Sequence, residues 1–590
     1  MKKYLLVLVS LCCALLPALA EHPEYPELKK SDANIIGHVL DKKTSEHLPY
    51  ITIALKGTTI GTVTDATGHY FLKNLPEGNF MMEVSSVGYK TVTRSVTLKK
   101  GKTLEENFEL EEDAIALDGV VVSANRSETT RRLAPTLVNV VDLKLFETTN
   151  SSTLSQGLNF QPGVRVETNC QNCGFQQVRI NGLDGPYTQI LIDSRPVFSA
   201  LSGVYGLEQI PASMIERVEV MRGGGSALFG SSAIAGTINI ITKEPLRNSG
   251  QLSHTITSIG GSSAFDNNTS LNASLVTDDH RAGLYIFGQN RHRSGYDYDG
   301  DGFTELPKLK NQTVGFRSYL KTSTYSKLTF EYHHMQEFRR GGDMLDRPPH
   351  EAHIAEQLQH SIDGGSLKYD YFSPNEKNRL SVFASAANTD RDSYYGPGND
   401  PLKAYGKTTD LTAMGGAQYV HTFDKCLFMP SDLTVGLEYN RDRLKDNMWG
   451  YDRHTDQTVK VYSAFLQNEW KNKHWGILIG GRLDKHNMVD DVIFSPRANL
   501  RFNPMDNINL RLSYSSGFRA PQAFDEDMHI ENVGGTVVMI ERAKDLKEEK
   551  SQSFSASADM YHRFGAFQTN LLVEGFYTRL TDVFVLGEPF

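Results

Sequence analysis

The stretch Ile215–Pro245 reads IERVEVMRGGGSALFGSSAIAGTINIITKEP. Its two flanks, RVEV (217–220) and TINIITK (237–243), are short and β-branched, and read as strands. Three consecutive glycines, Gly223, Gly224 and Gly225, open the segment that joins them. Such a run marks a turn that needs unusual backbone angles or the close approach of another chain segment, and Gly230 and Gly236 suggest tight packing. Glu216, Arg217, Glu219 and Arg222 are charges that an enclosed site tolerates only when paired. The alternative, a phosphate cradle, fits poorly. The glycines follow neither the GxGxxG nor the GxxxxGK spacing, and the next regular element reads as a strand.

Downstream of Pro245 the text becomes a succession of alternating runs, among them RAGLYIFGQN, KLTFEYHHMQ, DLTVGLEYN and INLRLSYSSGF. Each is about the nine to eleven residues that a tilted strand needs to cross a bilayer. Connectors alternate between short (TDDH, SPNEK, NKHW) and long (RHRSGYDYDGDGFTELPKLK, RRGGDMLDRPPHEAH), as periplasmic turns and extracellular loops do. Mean hydropathy is -0.38, and beyond residue 20 no apolar run is long enough for a transmembrane helix. This excludes a helical inner-membrane transporter and leaves soluble proteins and β-barrels. A formal charge of -9 gives no basic face for nucleic acid.

Upstream, residues 1–20 read as a signal peptide: Lys2 and Lys3, an apolar run, then Ala18-Leu19-Ala20. Residues 32–112 hold short strands broken by turn residues, the pattern of a small β-sandwich. An acidic linker, 113–124, contains Val120, Val121 and Val122, an exposed strand able to add to the edge of a partner's sheet.

Two strings, QVRINGLDGPYTQILIDSRPV (177–197) and the opening stretch, resemble the plug domain of TonB-dependent receptors. GTTIGTVTDATGHYFLKNLPEGNFMMEVSSVGYKT (57–91) resembles the carboxypeptidase-regulatory-like domain that precedes such receptors in Bacteroidetes and carries no catalytic residues. The resemblance implies a mainly β chain: an N-terminal β-sandwich, a mixed α+β plug at 125–245, and a 22-stranded transmembrane antiparallel β-barrel from 246 onward. About fifteen of those strands are countable before residue 590, so about seven more, on the order of 150 to 200 residues, are expected beyond it. It also implies an outer-membrane receptor of the metal-chelate branch, taking siderophore, haem or cobalamin. Such a carrier makes and breaks no covalent bond. It would couple to TonB through Val120–Val122, the TonB box, and would pair Glu219 and Arg222 with the barrel wall. The rivals are a glycan importer of the same fold working with a surface lipoprotein, and a passive porin or adhesin, which would lack the plug text.

Three constellations could carry chemistry. In DYDGDGFTE, Asp297, Asp299, Asp301, Gly302 and Glu305 occupy positions 1, 3, 5, 6 and 9 of a calcium loop, with Lys308 where position 12 wants glutamate. A solvated acidic loop is the competing reading. Cys170 and Cys173 form a CxxC pair, read first as a disulfide in an oxidising compartment and second as a metal or substrate contact. GFRAPQAFDEDMHI and KDLKEEKS resemble the boxes that bracket a haem-contacting histidine in haem receptors. They place His529 as a haem or ligand contact, although Ala543 and Lys544 depart from the second box. His333, His334, His350 and His353 are further candidates.

Overall fold

A computed structural model describes residues 30–590 except 66, 87–88, 113–119, 127–128, 197–206, 398–403, 524–527, 529, 531–541, 544, 566, 586 and 588–590. The signal segment, linker residues 113–119 and His529 therefore lie outside the described residues.

The N-terminal unit is a β-sandwich of two four-stranded sheets, running from Lys30–Asp41 to Phe108–Leu110. Alternate residues of facing strands (Ile35 and Val39, Ile51 and Ile53, Met82 and Val84) form its closed apolar core. It touches the next sheet at a two-residue turn, where Thr59 N–H donates to the Thr324 carbonyl at 2.9 Å.

Residues 138–242 fold around a four-stranded sheet in the order Val138–Asp142, Ile215–Arg222, Gly236–Thr242, Thr188–Ile192. RVEV and TINIITK are thus adjacent antiparallel strands. Gly223 takes a φ of 82°, which favours glycine, and turns the chain out of the first of them. The next regular element corrects the sequence reading. It is a single helical turn, Ser226–Phe229, ahead of the strand. Burial accompanies this: the turn lies next to strands Trp475–His486 and Ile508–Arg519, and Leu228 and Phe229 pack against Leu191, Met221 and Ala233. Four residues is far too short for the sequence pattern of an amphipathic helix to appear.

Fifteen strands, from Ser249–Ser258 to Phe567–Thr581, form one antiparallel sheet in strict sequence order. They are longer than bilayer-crossing strands need be: Tyr405–Cys426 has 22 residues, because several continue as ribbons beyond the hydrocarbon zone into the loops. Among the described residues the first and last of these strands are not paired with each other. Turns at 324–325, 427–428 and 506–507 lie at one end, and the long connectors 294–307 and 343–353 at the other.

The side chains of this sheet are arranged inside out relative to a soluble protein. In Ile508–Arg519, Leu512 is 56% exposed while its neighbour Arg511 is 3% exposed, and Leu510 and Asn509 repeat the alternation. Apolar residues face outward and charged ones inward onto the plug, as in a membrane barrel. Stacked pairs Trp475–Phe502 and Phe428–Trp470 mark the short-turn rim, where aromatic girdles sit. No described helix is long and apolar enough to cross a membrane.

Candidate functional site

The candidate site is the plug, its N-terminal lead, and the inward face of the sheet that holds both. Val120–Val121 pairs antiparallel with Thr129–Thr130. Val121 is fully buried among Ala124, Ala134 and Val138. The exposed strand expected from sequence is therefore corrected at its centre: Val121 is drawn into the nearest apolar pocket. Glu219 holds the strand there. Its Oε2 accepts from Val122 N (2.9 Å), Ser123 N (2.8 Å) and Ser123 Oγ (2.8 Å), while Oε1 accepts from Arg217 Nε at 2.9 Å. Asn239 Nδ2 adds a bond to Ser123 Oγ at 3.0 Å. The barrel-wall role expected for Glu219 is thus corrected as well, since these partners lie in the linker and the plug and none is on the wall. Strand register explains it: Glu219 pairs with Val140 and Asn239, which turns its carboxylate to the face under the lead.

Arg222, one strand turn further, forms an ion pair with Glu574 of the last barrel strand. Gly224 lies against Ser515 of the wall, and Gly225 N–H donates to the Ala233 carbonyl at 2.7 Å.

Residues 124–126 are gripped by the wall in a way the sequence did not announce. Arg497 Nη2 donates to the Ala124 carbonyl (2.9 Å), Asn125 Nδ2 donates to Glu469 Oε2 (2.7 Å), and Gln467 Nε2 donates to the Asn125 carbonyl (2.9 Å). Arg126 pairs with Glu438 at 2.5 Å, and Glu438 also takes Arg482 at 2.7 Å. A second clasp joins Asp193 and Glu244 of the plug to Arg317 (2.6 Å) and Lys327 (2.6 Å). A third centres on Glu208, which meets Arg293 (3.1 Å) and Arg339 (2.8 Å). Burial disfavours the Glu208 carboxylate, but the guanidiniums of Arg293, Arg339 and Arg291 outweigh it and hold the group at about 2. The only sequence signal for these wall residues is a charge at every second position of an otherwise lipid-crossing strand, as in Arg482 and Asp484.

Asp297, Asp299 and Glu305 bring one carboxylate oxygen each within 4.8 Å of the others. Asp301 is not part of that group, as its Oδ1 accepts from Phe303 N at 2.8 Å. Cys170 and Cys173 are thiols here, correcting the disulfide reading. Cys170 Sγ donates to Glu356 Oε2 of the wall at 3.2 Å. Phe518 and Ala520 of the FRAP string are packed in the core, and the Phe518 carbonyl accepts from Ser232 N of the plug at 3.0 Å, which gives that string a plug-packing role. His334, His350 and His353 are each tied to a separate neighbour, Asp363, Tyr405 and Asp343.

Residues 242–589 match the TonB dependent receptor-like, beta-barrel family, residues 130–237 the TonB-dependent Receptor Plug Domain, and residues 35–122 the CarboxypepD_reg-like domain. This chain belongs to the TonB-dependent receptor family. The receptor is 37% identical over 125 residues to the vitamin B12 transporter BtuB of Vibrio vulnificus strain CMCP6, covering 21% of this chain and 20% of that protein. To BtuB of strain YJ016 it is 28% identical over 237 residues, covering 35% and 39%. The matched stretches thus span about a fifth and two fifths of these relatives. Its fold is similar to that of the siderophore receptor PirA of Acinetobacter baumannii, with TM-score 0.61, 18% identity, and coverage of 76% of this chain and 78% of that one. It is equally similar to the ferric enterobactin receptor PfeA of Pseudomonas aeruginosa, with TM-score 0.62, 18% identity, and coverage of 75% and 71%. The receptor is an outer-membrane protein, and its family and fold are those of receptors and transporters.

Proposed function

We propose that the receptor imports a metal chelate across the outer membrane, driven by the inner-membrane proton gradient through TonB, without itself making or breaking a covalent bond. The observation that carries this is the Glu219 clamp. It stores a β-branched strand, Val120–Val122, at the base of a plug that the wall holds by ion pairs. A stored strand that can be pulled out and added to a partner's sheet is what mechanical coupling needs. The cargo class, siderophore, haem or cobalamin, is supported by relatives named as vitamin B12 transporters and fold neighbours named as siderophore receptors. The glycan reading gains nothing from those relatives. Calcium in the Asp297 loop, as an accessory site on the extracellular side, and a haem contact at His529 belong to the same reading.

The test is uptake. Cells lacking the gene, complemented with wild type or with Val121→Pro, are supplied with labelled cobalamin, haem and ferric siderophores. Wild type should restore uptake of one of them, and Val121→Pro should bind it at the surface without accumulating it. Uptake by the proline variant at normal expression would rule out coupling through this strand.

A further inference from the structure

The plug carries a hairpin, Val164–Cys170 and Phe175–Ile180, whose tip points towards the long-loop side. The tip is seated in the barrel wall. The carbonyl of Asn172 lies against Gly341, where any side chain would collide, and Arg339 Nη1 donates to the Gly174 carbonyl at 3.2 Å. At this seat two thiols and one carboxylate converge. Sγ of Cys170, Sγ of Cys173 and a carboxylate oxygen of Glu356 lie within 4.8 Å of one another. Glu356 belongs to wall strand Ile354–Phe372 and is 3% exposed.

Three features of the cluster suit a cation. First, the donors are the right kind and nearly the right distance apart. Zinc–sulfur and zinc–oxygen lengths of about 2.3 and 2.0 Å put tetrahedral ligands roughly 3.5 to 3.8 Å from each other. Secondly, Cys173 N–H points at Cys170 Sγ at 3.4 Å. An N–H donor aimed at sulfur favours the thiolate over the thiol. Thirdly, the surroundings are apolar: Phe175, Leu358, Tyr395, Met448 and Ile530 close over Cys173. Such a pocket limits the access of water that would compete for the donors.

We propose that Cys170, Cys173 and Glu356 form a binding site for a thiophilic divalent cation, of which zinc is the type, and that the bound cation ties the plug apex to the barrel wall. On binding, the two thiols give up their protons to solvent, so the site takes a 2+ ion with no redox change. Three protein donors leave a fourth position, on the half-buried Cys170 side, for water or a ligand atom. The site stands independently of which chelate the receptor carries.

The experiment uses the full chain in freshly prepared outer membranes, with folding checked by heat-modifiable migration. Alkylation rates of Cys170, Cys173 and Cys426 are read by mass spectrometry with zinc, with calcium and with chelator. Zinc should protect Cys170 and Cys173 but not Cys426, calcium should protect none, and cobalt should give a thiolate charge-transfer band. Glu356→Gln should weaken protection about tenfold or more, since even indirect partners of a metal ligand are worth that much. Cys173→Ser should abolish the cobalt band. Equal protection in wild type and Glu356→Gln would mean adventitious zinc on thiols. Recovery of the pair as a disulfide from those membranes, or rates indifferent to zinc, would overturn the site.

Discussion

Glu219 Oε2 accepts the backbone N–H of Val122 at 2.9 Å, so a plug residue 97 positions away fixes the position of the linker strand. The same oxygen takes Ser123 N–H, and the carboxylate is fully buried. Hydrogen bonds to a charged acceptor contribute about 1.5–3 kcal/mol each. Glu219→Ala should therefore release the strand while leaving the sheet paired. Measured as labelling of Val122→Cys by a membrane-impermeant maleimide in opened cells, the rate should rise by at least about tenfold. An unchanged rate would mean that Val121 burial alone holds the strand.

Much of this architecture is legible in the sequence, and the reasons are physical. RVEV and TINIITK announce strands because β-branched residues suit a pleated sheet, and the wall announces itself through period-two alternation. About fifteen strands are countable that way, and the described residues form fifteen. What escapes the sequence is pairing across the chain. Nothing near Asn125 indicates that its amide meets Glu469, 344 positions away, and nothing local to Glu219 says whether it faces the wall or the lead. Ser226–Phe229 escapes for another reason: one turn is too short for helical periodicity to show.

The Arg126–Glu438–Arg482 triad gives a second prediction. Glu438 lies between a guanidinium of the lead and one of the wall, Arg482, which Asp484 also pairs at 2.8 Å, and all of these side chains are buried. Glu438→Gln leaves two like charges facing each other, a change that typically costs about 3–5 kcal/mol. Protease nicking of the plug in purified receptor should begin at lower urea than in wild type. The double variant Arg126→Met, Glu438→Gln should recover part of the loss. No recovery would indicate that cavity formation, not unpaired charge, dominates.

Glu208 predicts an acid-sensitive plug. Its folded-state value, about 2, lies below the ordinary 4.5, because Arg293, Arg339 and Arg291 favour the ionised form over the opposing effect of burial. A depressed carboxylate contributes stability that is complete above its unfolded value and is lost as pH falls through its folded one. Wild-type stability to urea should thus decline between pH of about 4.5 and about 2. Glu208→Gln should be less stable at neutral pH and show a shallower decline. Parallel curves for the two proteins would place the acid sensitivity elsewhere.

The acidic loop carries the last prediction. Asp297, Asp299 and Glu305 converge, whereas Asp301 stands outside that group. Backbone donors already shape the loop: Gly300 N and Gly302 N both donate to Asp297, at 2.7 and 2.9 Å. Lys308 stands at the twelfth position and opens the barrel strand Lys308–Ser323, so no bidentate glutamate completes the cage. Three carboxylates without that ligand suit the weak extracellular class, with a dissociation constant of about 10⁻⁴–10⁻³ M. Millimolar calcium should therefore slow proteolysis of loop 294–307, and chelator should restore it. The pair Asp299→Asn with Glu305→Gln should remove the protection, and Asp301→Asn should leave most of it. Equal cleavage of wild type with calcium and with chelator would mean that the loop is only a solvated acidic turn. Loss of protection in Asp301→Asn equal to that in the double variant would mean that the loop rearranges around the ion into the full alternating set.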